Sequence, residues 1–292
     1  MQARDFLGRA RRMSGDGAGA RSSFERAVEL RADHAEARVA LAALLLDMGE
    51  AEAADALYVE LARTVGSAGG ATLALTGRLG RVEALLALGR LDDATVQLEQ
   101  VREADRENAS YRMTSARLSL ARRQFGAAIT TIRPLTELET PSAMALTLYG
   151  EALLGAGQPT PAAEALDRAL GIDAGLPEAL LARAEAHIAA GDERDALTVI
   201  DRAFESLEER IRPSSMRARA FVLRGRARIS DGDEEEAITP LRAATELAGC
   251  PADAWFFLGE ALPDEEAPSA YQRYLELAPE GPHAAEARRH AN

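Results

Sequence analysis

Side chains that carry out chemistry are few in this 292-residue chain, and they lie far apart. The histidines are His34, His187, His283 and His290, and Cys250 is the single cysteine, so no internal disulfide can form. None of these residues has a second ligand at the spacing that a metal site requires. No phosphate-binding glycine loop, nucleophile elbow or paired-cysteine motif occurs. We therefore expect no catalytic residue, no metal and no cofactor.

Two short acidic runs are the next candidates for a site. They span residues 231–236 and 264–266, and each is expected to lie at the start of a helix. Carboxylates are stabilised there by the helix dipole, which explains both runs without a ligand. The alternative interpretation is a site for a basic partner or a divalent cation.

The charge of the chain argues against some classes of partner. The formal net charge is −13 and the pI is about 4.9, so neither nucleic acid nor an anionic membrane is an expected partner. Residues 1–142 carry 19 Arg and 20 acidic residues, whereas residues 143–292 carry 15 Arg and 27 acidic residues. All of the basic residues are Arg. The C-terminal half should therefore attract basic segments more strongly than the N-terminal half does.

A recurring alanine shows which elements must position any binding residue. Four of the seven steps between successive alanines are 34 residues, and the other three are 40, 41 and 30. The eight alanines are Ala20, Ala54, Ala94, Ala128, Ala162, Ala196, Ala237 and Ala267. A fixed period in this range indicates a repeat solenoid, which offers a surface for binding more often than a pocket for chemistry.

Other columns follow the same period. Counted from Met1, the alanine is position 20 of each repeat, position 24 is large and apolar in all eight repeats, and position 8 is small in seven. Positions 20, 24 and 27 share one helix face, and small residues at positions 8 and 20 allow two antiparallel helices to approach closely. Position 15 is Gly in six of the seven repeats that retain it, with Arg123 as the exception, and a glycine there ends the first helix.

This pattern resembles the tetratricopeptide repeat, a helix-turn-helix unit of 34 residues. The last repeat matches the family motif most fully, with Trp255, Leu258 and Gly259 followed by Ala267, Tyr271 and Pro279. The resemblance covers almost the whole chain. It implies an all-α, right-handed superhelical solenoid of about eight antiparallel helix pairs, with a short C-terminal capping helix at 282–292. The expected repeats are 1–34, 35–68, 75–108, 109–142, 143–176, 177–210, 218–251 and 252–281.

The resemblance also implies a concave groove lined by the first helix of each repeat, with positions 2, 5, 9, 12 and 13 facing it. The candidate residues at position 5 are Val39, Leu79, Met113, Thr147, Leu181, Val222 and Phe256. The candidates at position 9 are Arg9, Glu83, Arg117, Glu151, Glu185, Arg226 and Glu260. Position 12 is Leu or Ile in six repeats, which extends the apolar track or else belongs to the core between repeats.

Such a groove would bind a protein or peptide with apolar anchors and some basic residues. Some members of the family hold a peptide carboxylate with a Lys/Asn clamp, but this chain has no Lys and only Asn108 and Asn292. The arginines at position 4 of the first four repeats are expected to pack their stems on apolar neighbours. A stripe for an acidic partner is the alternative for these four, which are Arg4, Arg38, Arg78 and Arg112.

Two interpretations of the function stay open. The first is a non-catalytic scaffold or adaptor that binds a partner in the groove. The second is a regulatory or self-assembly module cut from a larger bacterial protein, such as a kinase, secretion or motility component, because Met1 falls directly on position 1 of the first repeat. Homo-oligomerisation is compatible with both. Neither a signal-peptide core nor an apolar run of transmembrane length is found, so we expect a cytoplasmic location.

Overall fold

The computed structural model of the chain describes residues 7–8, 11, 15–30, 34–65, 70–101 and 103–291. All regular elements within those residues are helical, as the sequence predicts. First and second helices of the repeats alternate along the chain. The first helices of repeats two to eight are α2 (Ala35–Asp47), α4 (Ala71–Ala87), α6 (Ala109–Ala121), α8 (Ala143–Gly155), α10 (Pro177–Ala190), α12 (Ser214–Ser230) and α14 (Asp253–Ala261).

The second helices carry the recurring alanine. They are α1 (Gly17–Leu30), α3 (Ala51–Val65), α5 (Leu91–Glu99), α7 (Phe125–Thr136), α9 (Pro159–Ile172), α11 (Glu193–Glu209), α13 (Glu234–Thr245) and α15 (Ala267–Leu277). A 3₁₀ turn at Glu103–Asp105 lies between α5 and α6, and α16 (Ala284–His290) follows the last repeat. None of the helices in the described part of the chain is both long enough and apolar enough to cross a bilayer.

The chain divides into two units with separate cores. Unit 1 consists of Met1–Gln158 and Glu209–Pro213, and unit 2 consists of Pro159–Glu208 and Ser214–Asn292. In unit 1, apolar side chains of α1 to α4 form one buried cluster, against which Ile211 packs. In unit 2, α10 to α12 share one cluster, α13 to α15 share a second, and α14 to α16 enclose a third.

The recurring alanines lie at the closest contacts between helices, as the sequence predicts. Seven of the eight are fully buried, and Ala267 is 9% exposed. Position 8 of the first helix is equally tight. A Cβ added to Gly259 would come within 2.8 Å of the Tyr271 ring, and one added to Gly225 would collide with Leu241. Both partners occupy position 24, so the small and large columns meet within one repeat.

The turn inside each repeat depends on a left-handed residue at position 15. Gly157 has φ +72° and Gly191 has φ +79°, and the other glycines at this position that the structure describes also have positive φ. Arg123, the exception in sequence, adopts φ +58° and so keeps the same turn. The turn geometry is therefore conserved among the repeats even where the favoured residue is missing.

The insertions and the C-terminus change the regular pattern locally. The insertion at 69–74 lengthens α4, which begins at Ala71. Of the insertion at 211–217, residues 211–213 belong to no helix and residues 214–217 form the first turn of α12. The expected C-terminal helix is present as α16. Its Ala284 and Ala287 are buried against Phe256 and Tyr274, so that α16 covers the aromatic side chains of the last repeat.

Candidate partner-binding face

Most apolar candidates at position 5 lie in the core. Leu79, Thr147, Leu181, Val222 and Phe256 are at most 6% exposed. Position 5 faces the next helix, as when Phe256 packs against the rings of Tyr271 and Tyr274. We therefore do not count these five among the residues that can contact a partner.

Two position 5 residues keep part of their surface. Val39 and Met113 are half-buried, and each packs against the edge of a cluster in unit 1. Arg9, the first of the position 9 candidates, lies outside the described residues. The exposed surface of the first helices therefore comes chiefly from other positions.

The charged candidates at position 9 lie at the surface and pair between successive repeats. In unit 1, Glu83 on α4 contacts the Arg117 guanidinium on α6 at 3.1 Å and accepts a hydrogen bond from the Thr114 hydroxyl at 2.8 Å. Glu151 on α8 is half-buried. In unit 1, the pair Glu83–Arg117 thus links the first helices of two successive repeats.

In unit 2, the acidic residue at position 9 of α10 contacts two arginines of one neighbouring helix. Glu185 on α10 contacts Arg219 at 3.1 Å and Arg226 at 3.6 Å, both on α12. Burial favours the neutral carboxyl, but these two guanidiniums outweigh it and hold the pKa of Glu185 below its ordinary value. Arg226 also lies over the Phe257 ring, 5.1 Å from its centroid, so α10, α12 and α14 are linked on this face.

Arg219 is the member of this cluster that the sequence analysis did not name individually, although position 2 was among the positions expected to face the groove. It stands at position 2 of its repeat, 34 residues after Glu185, because the insertion at 211–217 lengthens the step between equivalent positions here to 41 residues. Position 2 of α12 therefore lies next to position 9 of α10.

Glu260, the last residue of the position 9 column, has a different environment. Burial and the negative charge of Glu286 raise the pKa of its carboxyl, although Arg226 acts in the opposite direction. Burial, together with Glu260 and Glu286, also raises the pKa of Tyr271 to about 12. The two acids of this group repel one another, in contrast to the paired acid at Glu185.

Position 12 supplies the apolar part of the face. All six aliphatic residues at this position are half-buried, and all but Leu154 pack against one of the core clusters. They are Leu46, Leu86, Leu120 and Leu154 in unit 1, and Ile188 and Ile229 in unit 2. Position 13 beside them is small and exposed in five repeats, as at Ala121 and Ala189. We call positions 9, 12 and 13 of the first helices, within each unit, the first-helix face.

The arginines of position 4 do not form one continuous stripe. Arg38 is 9% exposed, whereas Arg112 bonds with Glu107 and lies 3.5 Å from the Thr131 carbonyl oxygen. Arg78 donates to the Gln100 side chain at 2.7 Å. Arg4 lies outside the described residues. Each of the three described arginines therefore has its own environment.

The remaining candidates have structural explanations. In the run 231–236, Arg228 contacts Asp233 and Glu236 at 3.4 and 3.0 Å. Burial raises the pKa of the Cys250 thiol to about 11, so it is neutral at physiological pH. Within the part of the chain that the structure describes, no group of three His, Cys, Asp or Glu side chains is placed to hold a metal ion.

Comparison with known proteins identifies the repeat. Two family models, both described as tetratricopeptide repeat, match the chain. One matches residues 11–65 and 153–220, and the other matches residues 113–177. Together they account for more than half of the chain. No curated protein matches the sequence.

Solved structures of three different proteins have the same fold as this chain. A chain of the APC/C hetero-tetramer Cut9–Hcn1 matches 99% of this chain with a TM-score of 0.73 and 14% identity, and this chain spans only 55% of its length. A tetratricopeptide repeat protein from Parabacteroides merdae matches 89% of this chain and 99% of its own, with TM-score 0.58 and 15% identity. A Rap protein complexed with Competence and Sporulation Factor matches 84% of this chain and 76% of its own, with TM-score 0.65 and 19% identity.

Proposed function

Because this chain belongs to the tetratricopeptide repeat family, whose helix pairs serve as protein-interaction scaffolds, we propose that it is a non-catalytic adaptor that binds a partner protein or peptide on its first-helix face. The observation that carries the proposal is the row of half-buried Leu and Ile side chains at position 12. Part of each of these side chains stays exposed, and in five of the six repeats the following residue is small and exposed. Apolar side chains that keep exposed surface on successive first helices of one unit are candidates for an interaction site.

The charges of the face define the chemistry of the partner. Glu83 and Glu185 are already paired with arginines, so they set the shape of the face more than its net charge. Glu260 has a raised pKa, and its neighbour Glu286 is also acidic, so a cation brought near this pair would relieve their repulsion. A segment with apolar anchors for position 12 and a basic residue near Glu260 fits these features.

The similar structures support the general function without defining the partner. Two of them are described as complexes, one a hetero-tetramer and the other a Rap protein with Competence and Sporulation Factor.

A regulatory or self-assembly module of a larger protein would use the same surface. Light scattering of the purified chain separates the two, because self-assembly through this face gives a dimer or larger species that a charge on the face abolishes. The cytoplasmic location stays a prediction.

A pair of matched substitutions tests the proposed face. Ala121 on α6 and Ala127 on α7 are both exposed and both helical, so arginine fits at either site without a folding cost. Ala121→Arg places a bulky cation beside Leu120, and we expect it to abolish capture of the partner from extracts of the native host. Ala127→Arg, on the second helix of the same repeat, should leave capture unchanged. Equal capture by both variants would contradict the proposed face.

A further inference from the structure

A second concave surface lies away from the first-helix face. It is a cleft of about 390 Å³ in unit 1, enclosed by α3, α4 and α5. Its apolar wall consists of Leu61, Ala62, Leu73 and Ala74, and its volume lies within the range of small-molecule sites.

The cleft results from the irregular start of the third repeat. Leu73 and Ala74 belong to the insertion that lengthens α4, so the other first helices that follow the regular period have no equivalent of this wall. Gly77 allows α4 to contact α3 closely, since a Cβ there would lie 2.7 Å from Leu61. The extra turn of α4 therefore stands beside α3 and α5 and closes one end of the cleft.

The polar lining is cationic and rich in hydrogen-bond donors. Arg81 is paired with Asp55 at 2.9 Å, whereas Arg78 donates to the neutral side-chain amide of Gln100, 2.7 Å away. Gln97 on α5 also lines the cleft. Among the described residues, no carboxylate lies within ion-pair distance of Arg78. A guanidinium beside side-chain amides, above an apolar wall, is suited to an anionic ligand with an apolar body.

We propose that this cleft binds a small organic acid, whose carboxylate pairs with Arg78 and whose aliphatic body packs on Leu61 and Leu73. The side-chain amide of Gln97, and that of Gln100 once it turns from Arg78, can donate to the same carboxylate. At 3.6 residues per turn, the cleft residues of α4 lie on the side opposite Leu79 and Glu83. The cleft is therefore separate from the first-helix face, and its ligand does not compete directly with the proposed protein partner.

The probe that tests this proposal is N-acetyl-leucine, with N-acetyl-leucinamide as its uncharged match. Binding is followed by chemical shifts of the backbone amides in ¹⁵N-labelled full-length chain. We expect saturable shifts that map to α4 and α5 for the acid, with a dissociation constant of about 1 mM for a ligand of this size. The leucinamide should bind at least tenfold more weakly.

The tripeptide acetyl-Ala-Ala-Leu is a third probe, which distinguishes two sources of the carboxylate. Tighter binding of the tripeptide than of N-acetyl-leucine would identify the C-terminus of a peptide chain as the ligand. Equal binding of the two would identify a free acid.

Two variants keep the test independent of folding. Arg78→Met retains the stem and removes the charge, and it should weaken binding of the acid at least tenfold. Arg133→Met, at an exposed arginine of α7, is the matched control and should leave binding unchanged. Ala74→Phe fills the cleft from an exposed position and should abolish the shifts while the circular dichroism spectrum stays the same. Equal binding of acid and amide, binding unaffected by both cleft variants, or no saturable shift with any probe would each overturn the proposal.

Discussion

Two glutamates at the same repeat position show how far neighbours determine the behaviour of a side chain. Glu185 lies between Arg219 and Arg226, whereas Glu260 lies near Glu286. The pKa of the first carboxyl is lowered and that of the second is raised, although both are at position 9. Folding therefore favours the charged form of Glu185 and the protonated form of Glu260.

The two glutamates should give opposite pH dependences when each is changed to Gln. A lowered pKa contributes stability above the unfolded-state pKa and loses it as pH falls, so Glu185→Gln should destabilise at pH 7 and approach the parent in acid. A raised pKa contributes stability at low pH that is lost as pH rises through the folded-state pKa. Glu260→Gln should therefore be more stable than the parent at pH 7, with the advantage disappearing in acid.

Urea unfolding from pH 3 to 8, followed by circular dichroism, measures both differences on the same scale. The sign is the informative quantity, since both side chains are partly exposed and solvent reduces the magnitudes. If both variants changed stability in the same direction at pH 7, the opposite environments assigned to these carboxyls would be wrong.

At the level of the helices, the crossing of first and second helices depends on steric fit within each repeat. Position 8 is Gly where position 24 presses directly onto it, as with Gly259 and Tyr271 or Gly225 and Leu241. In three other repeats position 8 is alanine and fully buried, as at Ala116 and Ala184, and in the third repeat it is the buried Val82. Small residues at this position thus allow the large side chain at position 24 to fill the space between the helices.

A single methyl group tests the crossing in the last repeat. Gly259→Ala places a Cβ 2.8 Å from the Tyr271 ring, so we expect a loss of about 1–3 kcal/mol from overpacking. Gly171→Ala, in α9, is the control, because an added Cβ there has no atom within 4 Å. It should be neutral or stabilise by up to about 1 kcal/mol. Urea unfolding gives both values, and an unaffected Gly259→Ala would show that the crossing is looser than described.

The sequence alone predicted the helices and their contacts, because these follow from spacing. The recurring alanine and the turn at position 15 follow the repeat period, and the longer α4 follows from an insertion that interrupts it. The burial of the side chains at position 5 could not be predicted in the same way. Val39 and Phe256 share that position, yet the first is half-buried and the second is 1% exposed, because burial depends on the neighbouring repeat.

The binding surfaces were the least predictable part, since they depend on contacts between repeats. Arg219 pairs with Glu185 of the preceding repeat, and the cleft beside Arg78 needs three helices and an insertion. Neither involves a motif of adjacent residues. Position 12 was assigned to either the apolar track or the core, and the structure gives it both roles, with one side packed and the other exposed.

For the whole molecule, the central claim is that the first helices present the surface on which a partner protein is held. Family membership establishes a scaffold, and the half-exposed Leu and Ile side chains favour this face of it. The second helices expose mainly polar residues, so they serve as the comparison surface. Positions 121 and 189 represent the first-helix face of each unit, and positions 127 and 198 represent the second helices.

The most direct measurement is photo-cross-linking in the native host with benzoylphenylalanine at each of these four exposed sites, one at a time. The proposed function predicts that Ala121 or Ala189 yields a discrete cross-linked protein, whereas Ala127 and Thr198 do not. Cross-links of equal yield from the second helices, or from those helices only, would contradict the claim that the first-helix face binds the partner.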